Sequence, residues 1–150
     1  MTDRDERALS LMDDAATISA IARRVPLERL QSTAFVDWSW LDVIGHVADT
    51  AELFAGRLRR IVEESEPALP TIDTDGWVAE RRASRDPITC ASRIQAEHMR
   101  IVQLLDSPGA ATRIGVHGTH GRVDGGWIAD YQLRHSREHT LELAKAFPPA

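Results

Sequence analysis

A chain of 150 residues that is 43% hydrophobic and 27% charged is long enough to bury one core and too apolar for a disordered segment. Its 23 acidic side chains outnumber its 18 basic ones, leaving a net charge of −5, which argues against a phosphate-neutralising nucleic-acid binder and against an anionic membrane surface. The lone Cys90 excludes an internal disulfide, no apolar run approaches a span's ~20 residues, and the charged start MTDRDERALS lacks an apolar signal core, so a single cytoplasmic domain over residues 1–150 is expected.

The first predicted helix runs from Thr2 to Arg24, with Leu11, Ala15, Ile18, Ala22 and Val25 on one face and Pro26 ending it. A second starts after Ser39, an N-cap with Asp42 at the capping-box position, and runs to about Ser65. Trp40, Ile44, Val47, Ala51, Phe54, Leu58 and Ile61 form its main stripe. A short helix is predicted over Asp75–Ala83 in the connection that follows. The third long helix takes Asp86 as cap and Pro87 in its first turn, and stops at Ser107-Pro108-Gly109. The fourth starts near Gly126 and ends before Pro148, with Ile128, Tyr131, His135, His139, Leu143 and Ala146 on its inward face. No sustained period-2 strand is visible. The fold class is all-α, a four-helix bundle with two long connections, 65–87 and 107–126, both expected to cap one end.

The densest chemistry lies in His135-Ser136-Arg137-Glu138-His139. Two histidines four apart on a helix point the same way and can reach one metal ion. Gln132 and Glu142 share that side. Such a polar inward stripe is costly unless satisfied, and a metal would satisfy it. Core histidines bonded to carbonyls are the plainer alternative, but the inward setting favours a metal. H-x-x-E-H also matches an inverted metalloprotease motif. Glu138, however, lies about 60–100° round the wheel from both rings and reads as a surface or supporting residue. Catalytic zinc needs at least three protein ligands. His46 lies roughly 120° off its helix's aliphatic stripe, which fits a half-exposed position and a core position equally. His98 falls within an apolar stripe and reads as a satisfied core histidine. His117 and His120, in a glycine-rich loop, read as substrate or lid contacts. Arg57, Arg59, Arg60, Arg81, Arg82 and Arg85 read as solvated faces, one of which could bind an anionic substrate group. The four tryptophans read as packing for the bundle end and its loops, and Cys90 as a small structural residue rather than a nucleophile.

Three stretches together carry a family resemblance: Trp38-Ser39 through His46 to Asp49, the run from Arg57 to Pro70, and Gly115-Val116-His117 with Gly121-Arg122 leading into His135-Ser136-Arg137-Glu138-His139. In this order they resemble the DinB/YfiT-like family of metalloenzymes. The resemblance implies a four-helix bundle with one divalent metal ion per chain, zinc or nickel, held by His46, His135 and His139. It also implies an activity on low-molecular-weight thiols such as bacillithiol or mycothiol, or a related isomerisation of maleylpyruvate. Three neutral imidazoles leave a coordination position open, where a water could lose a proton or a thiol bind as thiolate. Glu142 is the carboxylate best placed on the wheel to orient a ring. Asp49 matches the family pattern but lies further round its helix than His46. The expectation is a metal-dependent enzyme transferring a low-molecular-weight thiol to a small electrophile, with a metal-dependent hydrolase or a non-catalytic metal-binding bundle as alternatives. Expected partners are a small-molecule substrate and a second copy in a homodimer, with no nucleic acid and no membrane.

Overall fold

The computed structural model describes residues 3–149. Helix α1 spans Asp3–Arg24, so the expected start at Thr2 lies outside the described residues. Pro26 then opens a one-turn helix, α2 (Leu27–Leu30), followed by a small hairpin of β1 (Thr33–Phe35) and β2 (Trp38–Ser39). Helix α3 (Trp40–Glu63) starts on the capping box read from sequence: the Ser39 hydroxyl accepts the Asp42 N–H and the Asp42 carboxylate accepts the Ser39 N–H. Strand β3 (Ala68–Leu69) and helix α4 (Thr74–Arg81), extended by a 3₁₀ turn over Arg82–Ser84, occupy the first long connection. Helix α5 (Pro87–Leu105) is capped by Asp86. The second connection holds the hairpin β4 (Ile114–His117) and β5 (Gly121–Asp124). Asp124 caps α6 (Gly125–Ala146) by accepting the Trp127 N–H, one residue before the expected start.

The architecture is the expected four-helix bundle, but its connectivity decides what the connections do. Helix α1 packs on α5 and α6, and α3 packs on the same two, so α1 and α3 face each other across a diagonal. Ladders of contacts give the directions. Thr50 meets His135 and Phe54 meets Tyr131, so α6 runs antiparallel to α3. Arg7 meets Asp130 and Asp14 meets Arg137, so α6 runs parallel to α1. Val43, Ile44 and Val47 share one core cluster with Cys90, Ala91 and Ile94, and Leu58 and Ile61 share the other with Ile101 and Leu105, so α5 runs parallel to α3. A parallel neighbour requires the chain to travel back the whole length of α3, about 36 Å at 1.5 Å per residue. The first connection is long for that reason. It runs along the bundle rather than capping one end, contrary to expectation. The second connection turns at the end where α5 finishes and α6 begins.

The connections are also not plain loops. Strand β4 pairs in parallel with β3 (Ala68↔Val116, Leu69↔His117) and antiparallel with β5, giving a three-stranded sheet that ties both connections together. Strands of two to four residues are too short to show an alternation, so the sequence reading missed them. Gly118 N–H donates to Leu69 O, and a Cβ on Gly118 would lie 2.8 Å from the Thr71 nitrogen, so this crossing needs glycine.

The core falls into two apolar halves. Ile18, Ile21, Val43, Ile44, Val47, Ile94 and Leu143 build one. Leu11, Leu58, Ile61, Ile101 and Ile128 build the other. Between them, one residue or more from every long helix is polar and buried: Asp14, Thr50, His98, Gln132 and Ser136. Among the described residues, no helix is long and apolar enough to cross a membrane.

Candidate metal centre

The antiparallel pairing of α3 and α6 brings His135 and His139, one turn apart, against His46. One ring nitrogen from each of the three lies within 4.8 Å of the others. His46 Nε2 and His135 Nε2 are 2.9 Å apart. His46 is only 3% exposed, which resolves the ambiguity of its position on the wheel in favour of the core. The Trp38 ring packs edge-on against it at 4.9 Å. Burial therefore dominates its electrostatics: desolvation, with the neighbouring His139, pushes His46 down to about 4. Desolvation, with His46 and His139 beside it, pushes His135 down to about 3. Both rings are neutral near pH 7, the form in which imidazole binds a metal.

The hydrogen bonds show that the triad fits a cation. Thr50 Oγ1 donates to Val47 O, so its lone pair accepts the proton of His135 Nδ1 at 3.1 Å. That leaves His135 Nε2 as a lone pair aimed at His46. No proton position on His46 satisfies both of its nitrogens. On Nδ1, which is buried without a partner, the proton faces nothing and opposes two lone pairs at 2.9 Å. On Nε2 it bonds His135 and leaves Nδ1 a bare buried acceptor. A divalent cation held by both Nε2 atoms would remove the opposition of the two lone pairs, with the His46 proton left on Nδ1. On the far side of His139, Glu142 Oε1 lies 2.9 Å from Nδ1, as the wheel suggested.

The centre opens on a cavity of about 340 Å³ bounded by α3, α6, the segment 71–75 and the β4–β5 turn. His117 and His120 reach this cavity beside Tyr131, and Trp127 backs both rings. Asp75 Oδ1 lies 3.7 Å from His46 Nε2 on the exposed rim. His98 stands apart. Its Nδ1 donates to Leu11 O at 2.7 Å and its Nε2 meets Gln132 at 3.0 Å, the satisfied core histidine expected. Glu138 is exposed, which removes the metalloprotease reading of the motif.

Two arginine readings are corrected. Arg85 is not on a solvated face: its guanidinium is buried and grips the buried Asp49 carboxylate at 2.6 Å, with Arg81 and Arg93 on the same group. Burial alone would raise the Asp49 pKa, but Arg85 and Arg81 hold it below the ordinary carboxylate value. Gly45 makes the approach possible, since a Cβ there would lie 2.4 Å from Arg85 Nε. Arg57 is likewise buried, against His117 and Pro70 O. Sequence gave one clue to the first cluster, an aspartate three residues after a candidate ligand, and none to its arginine partners.

Residues 5–143 match the model of the DinB superfamily, and the chain belongs to that superfamily. No curated protein sequence matches it. Solved structures that share its fold include the following two. YfiT from Bacillus subtilis, described as a probable metal-dependent hydrolase with an unusual four-helix bundle topology, superposes with a TM-score of 0.82 at 19% identity, over 97% of this chain and 87% of that one. A mycothiol-dependent maleylpyruvate isomerase superposes with a TM-score of 0.74 at 14% identity, over 95% of this chain and 61% of that one.

Proposed function

We propose that His46, His135 and His139 bind one divalent metal ion, zinc or nickel, and that the chain is a metal-dependent enzyme transferring a low-molecular-weight thiol to a small electrophile. The observation that supports this is the histidine triad itself, with His46 buried and its Nδ1 unpartnered, open on one side to a cavity. A metal held there would supply a Lewis acid that lowers the pKa of a bound thiol or water. Thr50 holds the ring of His135 in orientation, and Glu142 stands beside His139 Nδ1. Asp75, on the rim beside His46, is placed to take the proton that the thiol releases as its S–C bond forms and the leaving group departs. Hydrolysis is the second reading. The description of YfiT favours it, and the same Asp75 carboxylate would then accept a proton from water. A cavity of this size beside the triad favours both readings over a non-catalytic metal-binding bundle.

The test loads the protein with zinc or nickel, measures metal content, and follows adduct formation between a small thiol and a chromogenic electrophile. About one metal per chain, with adduct formation lost in His46→Ala and His139→Ala, is the expected result. No stoichiometric metal overturns the site. Ester cleavage without thiol transfer moves the assignment to a hydrolase.

A further inference from the structure

One pair in the same cavity has too many protons. His117, at the end of β4, accepts two backbone N–H bonds on Nδ1, from Thr119 at 3.0 Å and His120 at 3.2 Å. That nitrogen therefore carries a lone pair, and the neutral ring bears its proton on Nε2. Facing this Nε2–H at 3.3 Å is Arg57 Nη1, which can only donate. Two donors meet with no acceptor between them. The His117 ring cannot escape by protonating Nδ1, which would break both backbone bonds. Arg57 is 6% exposed. Its other nitrogen donates to Pro70 O, and its face lies over the Phe54 ring, but among the described residues no carboxylate pairs with it. A buried guanidinium without an anion is costly and unusual.

We propose that Arg57 and His117 form a carboxylate-binding subsite, which holds the far end of a small organic acid whose reacting atom lies at the histidine triad. The two convergent donors, one of them fully charged, match the two oxygens of a carboxylate. At this subsite a singly charged carboxylate group fits better than a doubly charged phosphate group, because a single positive charge is offered and Asp73 and Asp75 stand in the same cavity wall. Helix geometry sets the reach. His46, Thr50, Phe54 and Arg57 lie at i, i+4, i+8 and i+11, one stripe of α3 lining the cavity. Their ends are about 16 Å apart along the axis, and the long Arg57 side chain leans back toward the helix N-terminus, which shortens that span. As a substrate subsite the pair rests on the metal-enzyme reading; as an anion site it does not.

The experiment uses chelator-stripped full-length protein and titrates it calorimetrically with glutarate, with dimethyl glutarate and with inorganic phosphate. Glutarate should bind and the ester should not. Arg57→Gln should weaken glutarate at least tenfold. His117→Asn keeps an acceptor for the Thr119 and His120 amides but removes the Nε2–H, and should weaken glutarate several-fold. Because either variant could unfold, the His117 Nε2–H resonance of the native protein supplies a second readout, which should shift with the acid and stay fixed with the ester. Equal binding of acid and ester, an unmoved His117 resonance, or phosphate binding tighter than glutarate would overturn the assignment. A parallel zinc titration keeps the two readings apart. Glutarate binding without zinc binding removes the metal reading and leaves the anion site, whereas zinc binding without glutarate binding does the reverse.

Discussion

His135 has its proton placed by a single hydroxyl. Thr50 Oγ1 takes the Nδ1–H because its own proton is spent on Val47 O, and this directs the Nε2 lone pair at His46. Thr50→Val keeps the shape of the side chain and deletes the acceptor. Metal affinity should fall by roughly 10- to 100-fold while the fold survives, as measured by competition with a chromophoric chelator. His120→Ala removes a ring from the cavity without touching the triad, and should retain metal at the native stoichiometry. Equal losses in His120→Ala and Thr50→Val would mean that the turn, not α3 and α6, builds the centre.

At the scale of the elements, α4 and the start of α5 are fastened to α3 through Asp49. A buried carboxylate held by Arg81, Arg85 and Arg93 contributes little net stability once desolvation is counted, but breaking one side of it is expensive. Asp49→Ala leaves the Arg85 guanidinium buried and unpaired, and should destabilise the protein by about 3–5 kcal/mol in urea titrations. The double variant Asp49→Ala with Arg85→Met should recover a large part of that loss, since no charge is then stranded. Failure of the second substitution to recover any stability would show that the cluster acts through packing alone.

Across the whole molecule, the polar layer between the two apolar halves makes stability depend on pH and on metal. His98 donates to Leu11 O on α1 and accepts from Gln132 on α6, so it joins three helices as a neutral ring. Burial pushes its pKa down to about 4, below the ~6.5 of the unfolded chain. The unfolded state therefore takes up the proton first as pH falls. The contribution of His98 is full above pH ~6.5 and is lost between there and pH ~4. His98→Asn keeps a donor toward Leu11 but cannot titrate, so its stability should fall less steeply over that interval than that of the native protein. Indistinguishable slopes would remove His98 from this role. Metal acts on the same layer through the triad. At a metal concentration about 1,000-fold above Kd, binding to the native state alone adds about 4 kcal/mol, or roughly 8–16 °C in Tm for a domain of this size. A chelator should reverse that shift and leave the helical circular dichroism intact, because the two apolar halves persist without metal.

Local rules of the chain determined the four long helices. Ser39 with Asp42, and Asp86 with Pro87, fix starts by satisfying orphan N–H groups. The 3.6-residue spacing of apolar side chains then fixes which face is buried. The i,i+4 spacing of His135 and His139 was equally local, and with the resemblance around Trp38–Asp49 it made the triad readable in advance. Everything that depended on helix direction was not. The parallel course of α5 beside α3 turned the first connection into a strap along the bundle, brought Arg85 onto Asp49 and set Asp75 beside His46. Strand β3, two residues long, forms by pairing with β4 across the two connections, which no single stretch of sequence records. The meeting of Arg57 with His117, 60 positions apart, was decided the same way. Periodicity reports the face a residue occupies, whereas the partner it finds there is set by long-range packing, and that packing exists only once all four helices have taken their places.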